Sequence, residues 1–123
     1  MSNSASISAQ AIVSGVRAAY QKQMMSDVMI ATRSVDALKN ALEQNNQDWV
    51  LLRMRLVSSD INALDRSARG YFRGQPERLA KLDELIGKSI QLSQGLNEGR
   101  TSFAAALELA KELDIELCLL GLS

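Results

Sequence analysis

The stretch that decides the fold is VLLRMRLVSSDINALDRSARGYFRGQP, from Val50 to Pro76. Apolar side chains recur in it at alternating intervals of four and three residues, which is the spacing of one face of an α-helix. They occupy the following positions: Val50, Met54, Val57, Ile61, Leu64, Ala68 and Tyr71. Gly74 and Pro76 then mark the link to the next helix, because glycine favours the position just after a helix and proline favours its first turn. A link this short predicts that the two helices are antiparallel neighbours.

The same spacing extends to both sides of this stretch. It predicts a first helix that ends near residue 45, either continuous or bent near Gly15 or Ser26. The apolar face of this helix comprises Val13, Tyr20, Met24, Val28, Ala31, Val35, Leu38 and Leu42. A third helix carries Leu79, Leu82, Ile86 and Ile90. A fourth, capped by Thr101 or Ser102 after Gly95 and Gly99, carries Phe103, Ala106, Ala110, Leu113, Leu117 and Leu120.

These patterns predict an all-α fold, an antiparallel bundle of about four helices with a long first helix, and an oligomeric state. The chain has 123 residues, which suits one domain. The serine-rich start predicts a flexible segment at residues 1–9, followed by a single helical-bundle domain at residues 10–123.

Composition excludes several kinds of chemistry. The chain contains no histidine and one cysteine, Cys118. Imidazole catalysis, histidine- or cysteine-rich metal sites and internal disulfides are therefore ruled out, and no phosphate-binding glycine motif is present. We predict no enzymatic activity, no cofactor, no metal and no small-molecule substrate. A single cysteine, no apolar run long enough to span a bilayer and no signal-peptide pattern predict a cytoplasmic protein.

Charge is unevenly distributed although its total is zero. Residues 63–82 hold five basic and two acidic residues, whereas residues 83–123 hold three and seven. On the second helix, a polar stripe lies opposite the apolar face. It consists of Arg55, Ser59, Asn62, Arg66, Arg69 and Arg73. This stripe has three interpretations: a solvated helix face, a nucleic-acid-binding surface, or a protein contact. Glu108, Glu112 and Glu116 repel one another at four-residue spacing, and the arginine stripe is a candidate to neutralise them, either within the bundle or from another subunit.

Two further groups of apolar residues lie away from the main helix faces. One comprises Trp49, Leu52 and Leu56 on the second helix, and the other comprises Met25 and Met29 on the first. Both groups either complete the bundle core or form an interface, since tryptophan and methionine recur at binding surfaces. On the second alternative, these five residues bind a partner while Arg66, Arg69 and Arg73 set its orientation.

In size and composition, and in no motif, the chain resembles export chaperones and assembly subunits of bacterial secretion systems. The functional prediction is a non-enzymatic protein–protein interaction module, a small assembly subunit, adaptor or chaperone that binds a protein partner, itself, or both. The alternative is a nucleic-acid-binding regulator that uses the arginine stripe.

Overall fold

A computed structural model describes residues 2–123, with side chains from residue 9 onward. These residues form four α-helices. These are α1 (Ser2–Glu43), α2 (Gln47–Tyr71), α3 (Pro76–Asn97) and α4 (Phe103–Gly121). No strand occurs within residues 2–123, so the all-α prediction is confirmed. α1 is one uninterrupted helix of 42 residues, about 63 Å long at 1.5 Å per residue. The flexible segment expected at residues 1–9 falls mostly outside the residues whose side chains are described, and it stays a prediction.

The helix ends follow the local chemistry of the sequence. Asn46 caps α2, because its side-chain oxygen accepts a hydrogen bond from the backbone N–H of Trp49 at 3.2 Å. Pro76 is the first residue of α3, and the preceding Gly74 has a φ of +79°, which favours glycine. Ser102 caps α4 by accepting from the backbone N–H of Ala105. The predicted links therefore form where side-chain caps and glycine permit them.

The four helices pack as a bundle in which each has two neighbours. α1 contacts α2 and α4, and α3 contacts the same two helices. The core consists mainly of the apolar faces predicted for α1, α2 and α4. Its largest fully buried side chains are Phe72, Met24, Leu38, Met54, Ile61, Leu64, Leu82, Leu85, Leu92, Leu113, Leu117 and Val35.

The structure differs from the predicted core at a few positions. Ile90 of α3 is half exposed, and Leu85 and Leu92 are buried instead. Phe72, which is not on the predicted apolar face, follows the last residue of α2 and is fully buried. Val13 is exposed because no neighbouring helix covers that part of α1.

Candidate functional site

Exposed apolar side chains border the α1–α2 junction. Trp49, Leu52 and Leu56 are 48%, 47% and 43% exposed, and Ile30 is 45% exposed. Together, Trp49, Leu52 and Leu56 are called the outer face below. They are not part of the buried core, and their role as an interface stays a prediction.

Polar contacts between the two helices define where the outer face lies. Ser67 of α2 donates to Asp27 of α1 at 2.7 Å, and Ser34 of α1 donates to Asp60 of α2. Ile30 falls between Asp27 and Ser34 at spacings of three and four residues, so it lies on the side of α1 that faces α2. By the same spacing, Leu56 lies on the side of α2 that carries Asp60. In the register of these two bonds, Ile30 lies level with residue 64 of α2, about 12 Å along that helix from Leu56 at 1.5 Å per residue, so Ile30 is not part of the outer face.

Trp49 is held at the start of α2 by two interactions. Its backbone N–H is bonded to the capping Asn46, and the guanidinium of Arg53 lies 4.9 Å from the centre of its ring. A cation over an aromatic face is attractive and limits the orientations of both side chains. The orientation of Trp49 is therefore restrained, while about half of its surface stays exposed to solvent.

The second apolar group, which consists of two methionines, lies on α1. Met25 and Met29 are 44% and 57% exposed. Helical spacing places them on the strip that also carries Lys39, whose Nζ donates to Asp114 of α4 at 3.0 Å. The eight predicted binding residues consequently do not form one site, because the methionines border α4 whereas the Trp49 group borders α1.

The arginines also separate into two kinds. Arg66 and Arg73 are exposed and make no ion pair within the described residues. Arg69 instead bonds Asp83 of α3 at 2.8 Å and Asp65 of α2 at 2.7 Å. The hydrogen bond to Asp83, followed by that to Asp65, raises the pKa of Arg69. Arg69 therefore links α2 to α3, and only Arg66 and Arg73 are left open to a partner.

The glutamates of α4 pair with lysines rather than with the arginine stripe. Lys88 of α3 bonds Glu116 at 2.9 Å and lies 3.7 Å from Glu112, while Lys111 pairs with Glu108. The hydrogen bond to Glu116 is the main cause of the raised pKa of Lys88. The arginine stripe is therefore not their partner within the bundle, because α3 lies next to α4 and α2 does not, and its contact with the glutamates of another subunit stays a prediction.

Two exposed apolar rows were not recognised in full from the sequence. One lies on the first part of α1, where Tyr20 was on the predicted apolar face but Ile12 and Val16 were missed. The other lies on α4 and contains Ile115, Leu119 and Leu122. Both follow helical spacings of three or four residues, so the signal was present, but it lay beside stronger core patterns in the same helices.

The described residues contain no cluster of acidic or cysteine side chains arranged to hold a metal ion. None of their helices has both the length and the apolar character of a membrane span. No protein-family model, curated protein or solved structure matches the chain in comparisons with known proteins.

Proposed function

We propose that this protein is a non-enzymatic interaction module, a small helical assembly subunit, adaptor or chaperone, and that its outer face binds an amphipathic helix with acidic flanks. The observation that carries the proposal is the exposed apolar row of Trp49, Leu52 and Leu56. Contiguous apolar surface on a soluble domain often marks a binding site, and tryptophan frequently anchors one. Self-association and a cytoplasmic location belong to the same proposal.

The basic residues near the outer face support an acidic partner. Arg53 follows Trp49 by four residues and Arg55 follows Leu52 by three, so both lie beside the row on α2. Neither arginine makes an ion pair within the part of the chain that the structure describes. Carboxylates on a partner helix would therefore meet guanidinium groups that are not already neutralised.

We infer that neighbouring helices run in opposite directions, as in an up-down bundle. Residue 27 of α1 contacts residue 67 of α2, whereas residue 34 contacts residue 60. Between α1 and α4, residue 39 contacts residue 114, and residue 28 lies against residue 121. In both pairs one residue number rises as the other falls, which supports an antiparallel arrangement.

The experiment uses Trp49, the only tryptophan, as its reporter. A synthetic helical peptide with leucines along one face and glutamates on its flanks is titrated into the full chain while tryptophan emission is recorded. Covering Trp49 should shift its emission to the blue. A matched peptide with lysines in place of the glutamates should bind at least about tenfold more weakly, since tenfold corresponds to ~1.4 kcal/mol of lost charge complementarity.

Two adjacent residues supply the matched variants. Leu56→Ala should weaken peptide binding and cost under about 0.5 kcal/mol of stability, because Leu56 is exposed. Val57→Ala should lower the urea midpoint, since Val57 is fully buried and the change costs roughly 1–3 kcal/mol. Equal midpoint losses for the two variants, or unchanged peptide binding by Leu56→Ala, would contradict the proposal.

A nucleic-acid role is the competing outcome of the same test. In that case a duplex oligonucleotide should bind with strong salt dependence. Arg66→Glu would abolish this binding and Leu56→Ala would leave it unchanged. The opposite pattern, with Leu56 essential and the oligonucleotide weakly retained, supports the protein-interaction role.

A further inference from the structure

The first part of α1 extends beyond its contacts with the rest of the bundle. Residues 9–23, called the arm below, are all exposed. The arm contacts α2 at two places. The ring of Tyr20 packs against Gly70. The guanidinium of Arg17 lies 5.3 Å from the centre of the Tyr71 ring. From residue 16 back to residue 9, the arm would extend a further ~10 Å or more at 1.5 Å per residue.

The arm carries an apolar row that stays exposed among the described residues, although Val16 borders Ala63 and Ser67 of α2. Ile12 and Val13 are each 67% exposed, and Val16 is 52% exposed. The row leads directly into the buried face that begins at Met24. A short helix without a partner is marginally stable in water, and an uncovered apolar row on it favours association.

Charge limits what the occupant of this row can be. The arm contains Arg17 and Lys22, and no acidic residue occurs before Asp27. Pairing two arms would therefore bring like charges together, which opposes association. The occupant should instead be an apolar helical row with acidic neighbours.

The outer side of α4 has this chemistry. Ile115, Leu119 and Leu122 are 61%, 59% and 81% exposed, at spacings of four and three residues. α4 carries four carboxylates and one lysine. Two of these carboxylates, Glu108 and Glu112, stay 71% and 55% exposed although they pair with Lys111 and Lys88, whereas Arg78 and Lys81 border Leu119 at the other end of the row. The row Ile115, Leu119 and Leu122 is called the α4 row below.

We propose that the arm of one copy of the chain docks on the α4 row of a second copy. The interaction is heterologous, since it joins two different surfaces, and each bound copy still offers a free arm and a free α4 row. Repetition would build a closed ring or an open filament. The proposal rests on the self-association included in the proposed function, but it uses surfaces distinct from the outer face.

The test uses two variants of the full chain. Val16→Asp disables the arm, and Ile115→Asp disables the α4 row. Each alone should weaken self-association by more than about tenfold in light scattering, because each places a carboxylate in the apolar contact. An equimolar mixture should recover one interface, between the intact arm of one variant and the intact α4 row of the other. The mixture should therefore stop at a dimer, with twice the chain mass of 13.5 kDa.

Controls separate this interface from the alternatives. Ile90→Asp replaces a half-exposed isoleucine of α3 that belongs to neither surface, and it should assemble like the wild type. Cys118, the only cysteine, is exposed on α4 near the row, so its alkylation by a maleimide should slow as the wild-type chain assembles. Circular dichroism checks that every variant remains helical.

Several outcomes would overturn the proposal. A wild-type chain that stays at 13.5 kDa at all concentrations, or a mixture that fails to form a dimer, excludes it. Loss of assembly by Val16→Asp but not by Ile115→Asp would assign the contact to two arms. Failure here leaves peptide binding at Trp49 unchanged, and failure of the outer face leaves this assembly unchanged, so the two proposals can be told apart.

Discussion

The two halves of α1 belong to one continuous helix and differ in what covers them. From Met24 to Leu42 its apolar face is buried against α2 and α4, with Ala31, Val35 and Leu38 fully inaccessible. In the arm the apolar row is open, and Ile12 is 67% exposed. Helical periodicity therefore identifies the side of a helix that seeks apolar contact, but the lengths of its neighbours decide whether the same chain supplies that contact.

The largest expected effect tests this difference directly. Leu38→Ala in the buried half should cost roughly 2–5 kcal/mol, through lost burial and a residual cavity. Val16→Ala in the arm should cost under about 0.5 kcal/mol, because its side chain is half exposed. Urea midpoints at a protein concentration that keeps the chain monomeric provide the comparison. Similar losses for the two variants would mean that the arm is part of the cooperative fold.

The fold was largely predictable because the buried faces of α1, α2 and α4 have regular spacing and the links contain strong caps. α3 was harder, since it has apolar residues on several sides. Ile86 and Ile90 fit the predicted row, but the contacts with α2 and α4 bury Leu85 and Leu92 instead. Small buried residues such as Ser89 and Gly95 also line this helix, and hydrophobic spacing alone does not identify them.

The candidate surfaces were predictable only in part. The unusual position of Trp49, Leu52 and Leu56 was visible in the sequence, and their exposure is consistent with an interface. The division between Arg69 and Arg66 was not visible, because the partner of Arg69 on α3, Asp83, is 14 residues away and reaches it only through folding. The open row of the arm depends on where α2 ends along α1, which is a property of the whole bundle.

The next largest effect concerns the junction between the two halves of α1. A Cβ at Gly70 would overlap the ring of Tyr20. Alanine also favours a helix over glycine by roughly 1 kcal/mol. Gly70→Ala should therefore stabilise the Tyr20→Ala variant by up to about 1 kcal/mol. In the chain that keeps Tyr20 the gain should be smaller, because the tyrosine ring must move.

The four proteins of this cycle, wild type, Gly70→Ala, Tyr20→Ala and the double variant, are compared by urea denaturation. A coupling of at least about 0.5 kcal/mol between the two positions is expected for residues in contact. Strictly additive changes would show that Tyr20 does not rest on α2 in solution, and the arm would then begin later along α1.

The smallest expected effect compares a lysine in each half of α1. Lys39, in the buried half, donates to Asp114 at 3.0 Å and lies 3.3 Å from Asp36. The hydrogen bond to Asp114 is the main cause that raises the pKa of Lys39 above its ordinary value of 10.5, while burial acts in the opposite direction. Lys22, in the arm, makes no ion pair within the described residues.

Because the pKa of Lys39 is higher in the folded chain than in the unfolded one, its stabilisation is present below about pH 10.4 and is lost as the pH rises through the folded value. The stability difference between the wild type and Lys39→Met should stay below about 1 kcal/mol. It should be constant from about pH 7 to pH 9 and shrink above the ordinary lysine pKa. Lys22→Met controls for the loss of one charge. A difference that persists unchanged to pH 12, or grows with pH, would show that Lys39 contributes through its apolar stem rather than through its ion pair with α4.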